Sequence, residues 1–320
     1  MQITALTDIV EGSLQNSPAI SFITQIHTNV SKVNEGDAFF AKNISDIEEA
    51  IKKGAFAIIF DCDVKIIDNE IAWIKSDNLN KSIANVLRYK LLENKIKYIH
   101  TNKVFFNLLN IFKTKELSYV VTLSQNISDN FELLNYCDED KIIFGTDLQF
   151  LNAIGTNVLT LKHEDYDIKN LITHSLFETS FSYKDRFFDK IKLPEVYIND
   201  LLQQLELFEY KLDLKKLNSF ELFKPIFINK SNQIVPFGQT NRFILANKDE
   251  DIANIEIDYL KENYNYGTIE VLDASFYAHD EIFNHIKNIN FNALYIIGIK
   301  TKEIVKILEN NYSDNKLIGF

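Results

Sequence analysis

The sequence predicts an α/β fold with a mainly parallel sheet. Three observations carry this. Short runs of β-branched and aromatic residues alternate along the chain with longer amphipathic stretches, the order expected when helices cover a parallel sheet. Turn sequences such as Asn34-Glu35-Gly36-Asp37 separate the runs, while only 9 Gly and 4 Pro argue against long flexible linkers. A hydrophobic content of 46% with 25% charged residues is that of a globular protein, and 320 residues suffice for two or three domains.

The elements of the first part follow in order. Ile3–Val10 reads as a short helix with Gly12 beyond its end, and Phe22–Ile26 as a strand. After the turn at 34–37, Ala38–Ala41 is a second strand. Ser45–Lys53 reads as a helix, with Ser45 and Glu48 forming a capping box and Gly54 closing it. Phe56–Phe60 is a buried strand, and Ile71–Lys75 another that holds the single Trp, Trp73. Asn78–Leu92 is an amphipathic helix with Ile83, Val86, Leu87 and Leu91 on one face.

Strand and helix continue to alternate. Lys97–His100 is a strand and Val104–Phe112 a helix; Tyr119–Leu123, Lys141–Phe144 and Val158–Leu161 are further strands, and Gly155 marks a helix end. Phe181–Tyr183 and Phe187–Lys192 flank Lys184-Asp185 as a hairpin, with Phe177, Phe181, Tyr183, Phe187 and Phe188 assigned to the core. Leu193-Pro194 leads into a helix that runs to Phe208. From Phe223 on, PIFINKSNQIVPF reads as strand, turn and strand. RFILAN, a helix over Asp251–Glu262, TIEVLD, a helix around Ile282–Ile286, ALYIIG and a helix over Thr301–Glu309 then repeat β–α units, like a small doubly wound domain. The division expected is 1–95, 96–222 and 223–320.

Composition excludes several functions. The net charge is −11 and no basic face is evident, so nucleic acid is not an expected partner. Cys62 and Cys137 make neither a metal pair nor a disulfide framework and are expected as small buried hydrophobes. The amino terminus has no signal-peptide pattern and no apolar run reaches the length of a membrane span, so a cytoplasmic location is expected. His279, Asp280, Glu281 and His285 resemble a metal set, but the histidines are six apart and do not share a helical face. His163, Asp165 and Asp167, and the acidic run Asp138-Glu139-Asp140, read as solvated turns. Neither a G-x-S-x-G elbow nor a dinucleotide fingerprint occurs.

Residues 26–60 resemble the amino-terminal, UDP-sugar-binding domain of the Mur ligases, closest to the MurE and MurF types. There the family reads roughly TDSRKVKPGDLFVALKG, then DGH, then A..KGA.AVVV. The frame is present as Lys32, Val33, Gly36, Asp37, Phe39, Phe40, Ala41, Lys42, Ala50, Lys53, Gly54 and Ala55. The segment KLPEVYINDLL resembles the family's LPG turn and asparagine-bearing helix, with Glu195 in place of the glycine and Asn199 at the asparagine. The resemblance implies a three-part Mur-ligase-like architecture, with a reduced central domain and a truncated Rossmann-like carboxy-terminal domain.

The resemblance also shows what has changed. The family's GTNGKT phosphate loop corresponds to Ile99-His100-Thr101-Asn102-Lys103-Val104. Thr101, Asn102 and Lys103 echo it, but both glycines are gone, and Val104 stands where a hydroxyl would reach magnesium. In the T-D-S/T-R element Thr28 is kept, Asn29 replaces Asp and Ser31 replaces Arg, which removes a forked donor for phosphate. His27, one position earlier, reads as structural. The loop after Ala41-Lys42 is shortened to Asn43-Ile44, and Asn247 alone remains of the third-domain signature. The positions expected to touch a ligand are therefore Thr28, Asn29, Ser31, Lys42, Thr101, Asn102, Lys103, Asn199 and Asn247, with no catalytic residue and no metal.

The expected function is that of a non-catalytic Mur-ligase-like protein in peptidoglycan precursor synthesis, binding a cell-wall synthesis protein or a UDP-MurNAc-type precursor and using no cofactor. The alternatives are a divergent amide ligase that uses ATP and magnesium on a UDP-MurNAc-peptide, and a nucleotide-sugar-binding sensor.

Overall fold

The computed structural model describes residues 1–92, 94–135, 137 and 140–317, with residues 311–317 described by their backbone. The chain forms two compact units: Met1–Asn102 together with Lys113–Lys162, and Lys103–Phe112 together with the chain from His163 onward.

The first unit opens with helix α1 (Ile3–Ile9) and a five-stranded sheet. Its strands are β1 (Ser13–Leu14), β2 (Ile26–His27), β3 (Ala38–Phe40), β4 (Ala57–Phe60) and β5 (Ala72–Lys75), in the order β1-β5-β4-β3-β2. Neighbours from β2 to β5 are parallel, and β1 pairs antiparallel with the edge of β5. Helix α2 (Ile47–Lys52) joins β3 to β4, and α3 (Leu79–Leu91) follows β5.

The central strands are apolar without a break because both faces of the sheet are covered. Phe39, Ile58 and Trp73 pack against Ile47 and Ala50 of α2 on one face. Phe40, Ile59 and Ile74 meet Ile83 and Leu87 of α3 on the other. Trp73 is fully buried, and its indole N–H donates to the Asp68 carbonyl at 2.6 Å.

After β6 (Lys97–His100) the chain leaves as helix α4 (Lys103–Phe112), which belongs to the second unit. It returns to complete a parallel sheet of order β7-β8-β6-β9, with β7 (Val120–Thr122), β8 (Ile142–Gly145) and β9 (Val158–Thr160). Helices α5 (Ile127–Leu134) and α6 (Leu148–Ile154) connect these strands and pack on α3. One core therefore runs from Phe40 and Ile59 through Leu87 to Phe131, Ile143 and Leu151.

The second unit holds a three-stranded antiparallel sheet of β10 (Lys169–Ser175), β11 (Glu178–Tyr183) and β12 (Arg186–Ile191), followed by α7 (Ile198–Leu207). Then come β13 (Ile226–Phe227), β14 (Phe243–Asn247), α8 (Glu250–Asn263), β15 (Ile269–Asp273), α9 (His279–Asn288), β16 (Ala293–Ile297) and α10 (Thr301–Leu317). The sheet order is β13-β14-β16-β15, parallel except for β13. Leu108 and Phe112 of α4, Leu201 and Leu205 of α7, and Leu245 and Tyr295 share one core. Ile244, Leu294 and Ile296 face Ile282, Ile286 and Ile304 in another.

Local differences from the expected elements have physical causes. The strand expected at Phe22–Ile26 begins only at Ile26; Phe22 is 60% exposed and makes one isolated bridge to Gln2. Ser45 does not cap α2. A 3₁₀ turn at Ile44–Asp46 precedes the helix, Asp46 is already right-handed, and Ser45 Oγ bonds Asp46 instead. Strand β10 was absent from the sequence reading because KNLITHS is exposed almost throughout, so it carries no apolar alternation. Of the aromatic cluster, Phe181 and Phe188 stack at 4.9 Å in the core, but Phe187 is 61% exposed. Cys62 and Cys137 are half-buried rather than fully buried and form no disulfide, and Cys137 packs against the edge of the first core.

Gly36 and Gly54 close the turn and the helix as expected, with φ of +93° and +89°. The Gly36 amide donates to the Gly54 carbonyl at 2.9 Å, and a Cβ on Gly54 would lie 3.0 Å from Glu35 Cα. Gly54→Val should therefore lower the unfolding free energy by about 1–2 kcal/mol. Urea denaturation followed by circular dichroism checks this; an unchanged midpoint would show that the turn relaxes without cost.

Candidate functional site

In the first unit the loop after β2 closes on a carboxylate. Asn29 caps a 3₁₀ turn at Val30–Lys32, its Oδ1 accepting from the Ser31 amide at 3.0 Å and from the Ser31 hydroxyl at 2.8 Å. Lys53 donates to the carbonyls of Val30 and Ser31 at 3.1 and 3.2 Å. The amides at the start of the loop face α5, where Glu132 accepts from Thr28 N at 2.8 Å, Thr28 Oγ1 at 3.1 Å and Asn29 N at 3.3 Å. Lys32 Nζ stands 3.0 Å from the other Glu132 oxygen. Burial pushes the Glu132 carboxyl up, but the Thr28 amide, Lys32 and His27 together outweigh it and hold it below the usual value.

His27 is buried beneath this loop. Its Nδ1 lies 3.5 Å from Glu132, and its Nε2 lies 3.5 Å from Asp37 without hydrogen-bond alignment. Asp37 in turn accepts from the amides of Gln25 and Asn34. The sequence reading of His27 as structural agrees with this position. Two amides and an ammonium that could receive an anion therefore already hold the chain's own carboxylate. Lys42, beyond β3, is exposed; partial desolvation lowers its pKa, opposed by Asp129 and Asp61.

Beyond β6, Thr101 is 2% exposed and its amide donates to the Gly145 carbonyl at 3.0 Å. Thr101 Oγ1 and His100 Nδ1 are buried without a hydrogen-bond partner. Asn102 ends the first unit and Lys103 opens α4 in the second.

In the second unit Lys103 is doubly paired. Its ammonium lies 2.7 Å from Asp249 and 2.6 Å from Asp251, both at the start of α8. One cation against two carboxylates leaves a local charge of −1, so a phosphate approaching Lys103 would meet repulsion. Val104, next in sequence, is packed in the core with Leu108 and Phe112. Asn247 joins this group from the end of β14, since its Oδ1 accepts from the Asp249 amide at 3.0 Å.

Asn247 also donates to Glu256, which is completely buried on α8. Tyr197 donates to one Glu256 oxygen at 2.6 Å and Tyr295 donates to the other. Burial dominates these donors and pushes the Glu256 carboxyl up to about 7. Asn199, two positions after Tyr197, takes a different partner: its amide donates to Asp165 at 3.3 Å while its Oδ1 is buried and unpartnered.

The structure thus gathers Thr28, Asn29 and Ser31 on one loop, and Lys103 with Asn247 around Asp249. Four residues that organise these groups were missed by the sequence reading: Glu132, Asp249, Asp251 and Glu256. Asp249 carried a usable signal, an acidic N-cap before an apolar-periodic run. Glu132 carried none, because its partners lie about a hundred residues away. Among the described residues no group of three or more His, Cys, Asp or Glu could hold a metal, and no helix is long and apolar enough to cross a membrane. The His285 ring lies against Tyr277 at 4.3 Å, tilted by 54°, and Glu281 accepts from the Ala278 amide. Asp138 and Glu139 of the acidic run lie outside the described residues.

The half-buried Glu132 and the fully buried Glu256 give opposite pH dependences. Glu256 keeps its proton in the folded chain up to about pH 7 and in the unfolded chain only to about 4.5. The folded state binds the extra proton, so stability should fall as pH rises across that window, and Glu256→Gln should flatten the slope. Glu132 is shifted the other way, so its contribution is present above its unfolded value near 4.5 and lost as pH falls through the lower folded value. Glu132→Gln should remove that acid-side loss. Unfolding free energies of the two variants measured from pH 3.5 to 8 test both; parallel curves for variants and parent would refute the assignments.

No protein-family model and no curated protein matches the chain. Solved structures do. The MurF ligase from Thermotoga maritima, in complex with ADP, matches with a TM-score of 0.54 at 12% identity, over 91% of this chain and 98% of that one. A crystal structure of MurF from Acinetobacter baumannii gives 0.51 at 10% identity, over 96% and 87%. The mixed α/β architecture described above is that of a Mur ligase-like fold.

Proposed function

We propose that this chain is a non-catalytic protein of Mur ligase-like fold that acts as a binding or scaffold component in peptidoglycan precursor synthesis. Its partner is a UDP-MurNAc-type precursor or a cell-wall synthesis protein, and it works in the cytoplasm without a cofactor. The observation that carries this reading is the state of Lys103. The only cation of the Thr101–Lys103 segment is neutralised by Asp249 and Asp251. No glycine frees backbone amides to cradle phosphate there, and Val104, buried in the core, offers no oxygen to magnesium. The residues present do not fit ATP and magnesium. Capture of the Thr28 and Asn29 amides by Glu132 supports the same reading at the second position where an anion would bind.

One observation favours a different reading, a divergent ATP-dependent amide ligase acting on a UDP-MurNAc-peptide. The unpartnered His100 Nδ1 and Thr101 Oγ1 are the kind of buried polar atoms that a ligand satisfies.

Thermal unfolding with ATP–magnesium, UDP and UDP-MurNAc-peptide separates the two. A ligand at a hundredfold its Kd stabilises the folded chain by about 2.7 kcal/mol, a readable shift. No shift is expected with millimolar ATP–magnesium. A shift with ATP–magnesium that is lost in Lys103→Ala would establish the ligase reading instead. A shift with UDP-MurNAc-peptide alone identifies a precursor as the partner.

A further inference from the structure

The second unit contains a half-open cavity of about 640 Å³ that none of the residues discussed above explains. It lies beside the β10–β11 turn, the segment 217–227, the 234–237 turn and the first turn of α10. Its floor is apolar and well packed: Leu217, Phe220, Phe223 and Ile226 are each 6% exposed or less. One wall is aromatic. Phe177 meets Phe223 at 5.5 Å and Phe227 at 6.2 Å, and Phe237 packs edge-on against Phe227 at 5.2 Å while remaining 73% exposed. A volume of this size with an apolar lining and few polar groups is that of a small-molecule site.

The polar groups of the lining decide which small molecule. They include Lys192, Lys224 and Lys302 against Glu178 and Glu221, an excess of one positive charge. The single carboxylate of Glu221 serves two of the lysines, at 3.3 Å from Lys224 and 3.9 Å from Lys302. One carboxylate shared between two ammoniums leaves both able to donate to a further anionic oxygen. In a chain whose net charge is −11, a local cationic surplus beside an apolar floor runs against the general field.

We propose that this cavity binds a small amphipathic monoanion, with an aliphatic or aromatic body on the Leu217–Phe223 floor and a carboxylate or sulfonate head between Lys224, Lys302 and Lys192. The site is separate from the Lys103–Asp249 group and does not depend on the proposed function.

The test uses the full chain and 1-anilinonaphthalene-8-sulfonate as probe, below the micelle concentration of every competitor. Fluorescence titration should give saturable binding, displaced by dodecanoate. Dodecanol should displace it roughly fivefold more weakly, the equivalent of ~1 kcal/mol for a part-exposed charge pair, and dodecylammonium more weakly still. The surface variant Lys192→Glu/Lys302→Glu should weaken dodecanoate by a similar factor and leave dodecanol unchanged. Phe237→Ala, at an exposed position that folding does not need, should weaken all three. Non-saturable probe binding, equal displacement by the three head groups, or insensitivity to both variants would overturn the proposal. Circular dichroism of each variant shows whether a loss of binding reflects a loss of fold, and a loss seen only in folded variants supports the site.

Discussion

The first unit depends on a carboxylate held by backbone amides. Glu132 leaves α5 to satisfy Thr28 and Asn29 beyond the edge strand of the first sheet, and Lys32 and His27 complete its shell. A partly buried charge of this kind is tolerated because it receives several donors at once. The contact joins α5 to the loop after β2, beside the edge-on meeting of Phe131 with Phe40 at 5.7 Å, and α5 and α6 in turn pack on α3. Lys90 contributes from α3, donating to Asn135 and lying over the Phe131 ring at 5.6 Å. Burial lowers its pKa, with Glu132 and Asp37 opposing that shift.

The second unit repeats the motif with the roles reversed. There a lysine is the captured group and aspartates at a helix start are the captors, while a protonatable glutamate stays in the core beneath them. In both arrangements acidic side chains of the chain itself pair with its lysines. An excess of acidic residues over basic ones, visible in the composition, acquires a specific meaning at these two positions.

Much of the architecture was legible because strands buried on both faces leave unbroken apolar runs, as at Ala57–Phe60 and Ala293–Ile297, and because glycines mark left-handed turns, as at Gly36 and Gly54. Strand β10 was not legible, since an exposed strand has no pattern to read, and neither was the 3₁₀ entry to α2, where Ser45 looked like a cap. For the candidate site, the absence of glycine from residues 99–104 and of arginine from residues 28–31 was plain from the residues alone. The partners these segments take up were not. Asn29 and Ser31 satisfy each other, and the partners of Thr28 and Lys103 come from segments 104 and 146 residues away in sequence. Contacts at such separation leave no local periodicity or spacing by which to find them.

Trp73 is the single tryptophan of the chain, and it sits wholly inside the first unit. Its indole is shielded from water and edge-on to Phe60 at 6.1 Å. Intrinsic fluorescence excited at the indole band is therefore a private signal of one unit, blind to the other. The second unit has no tryptophan, and its core around Tyr197 and Tyr295 is read instead by a signal of the whole chain, such as far-ultraviolet circular dichroism. Comparing the two transitions shows whether the two units unfold as one cooperative body or in succession.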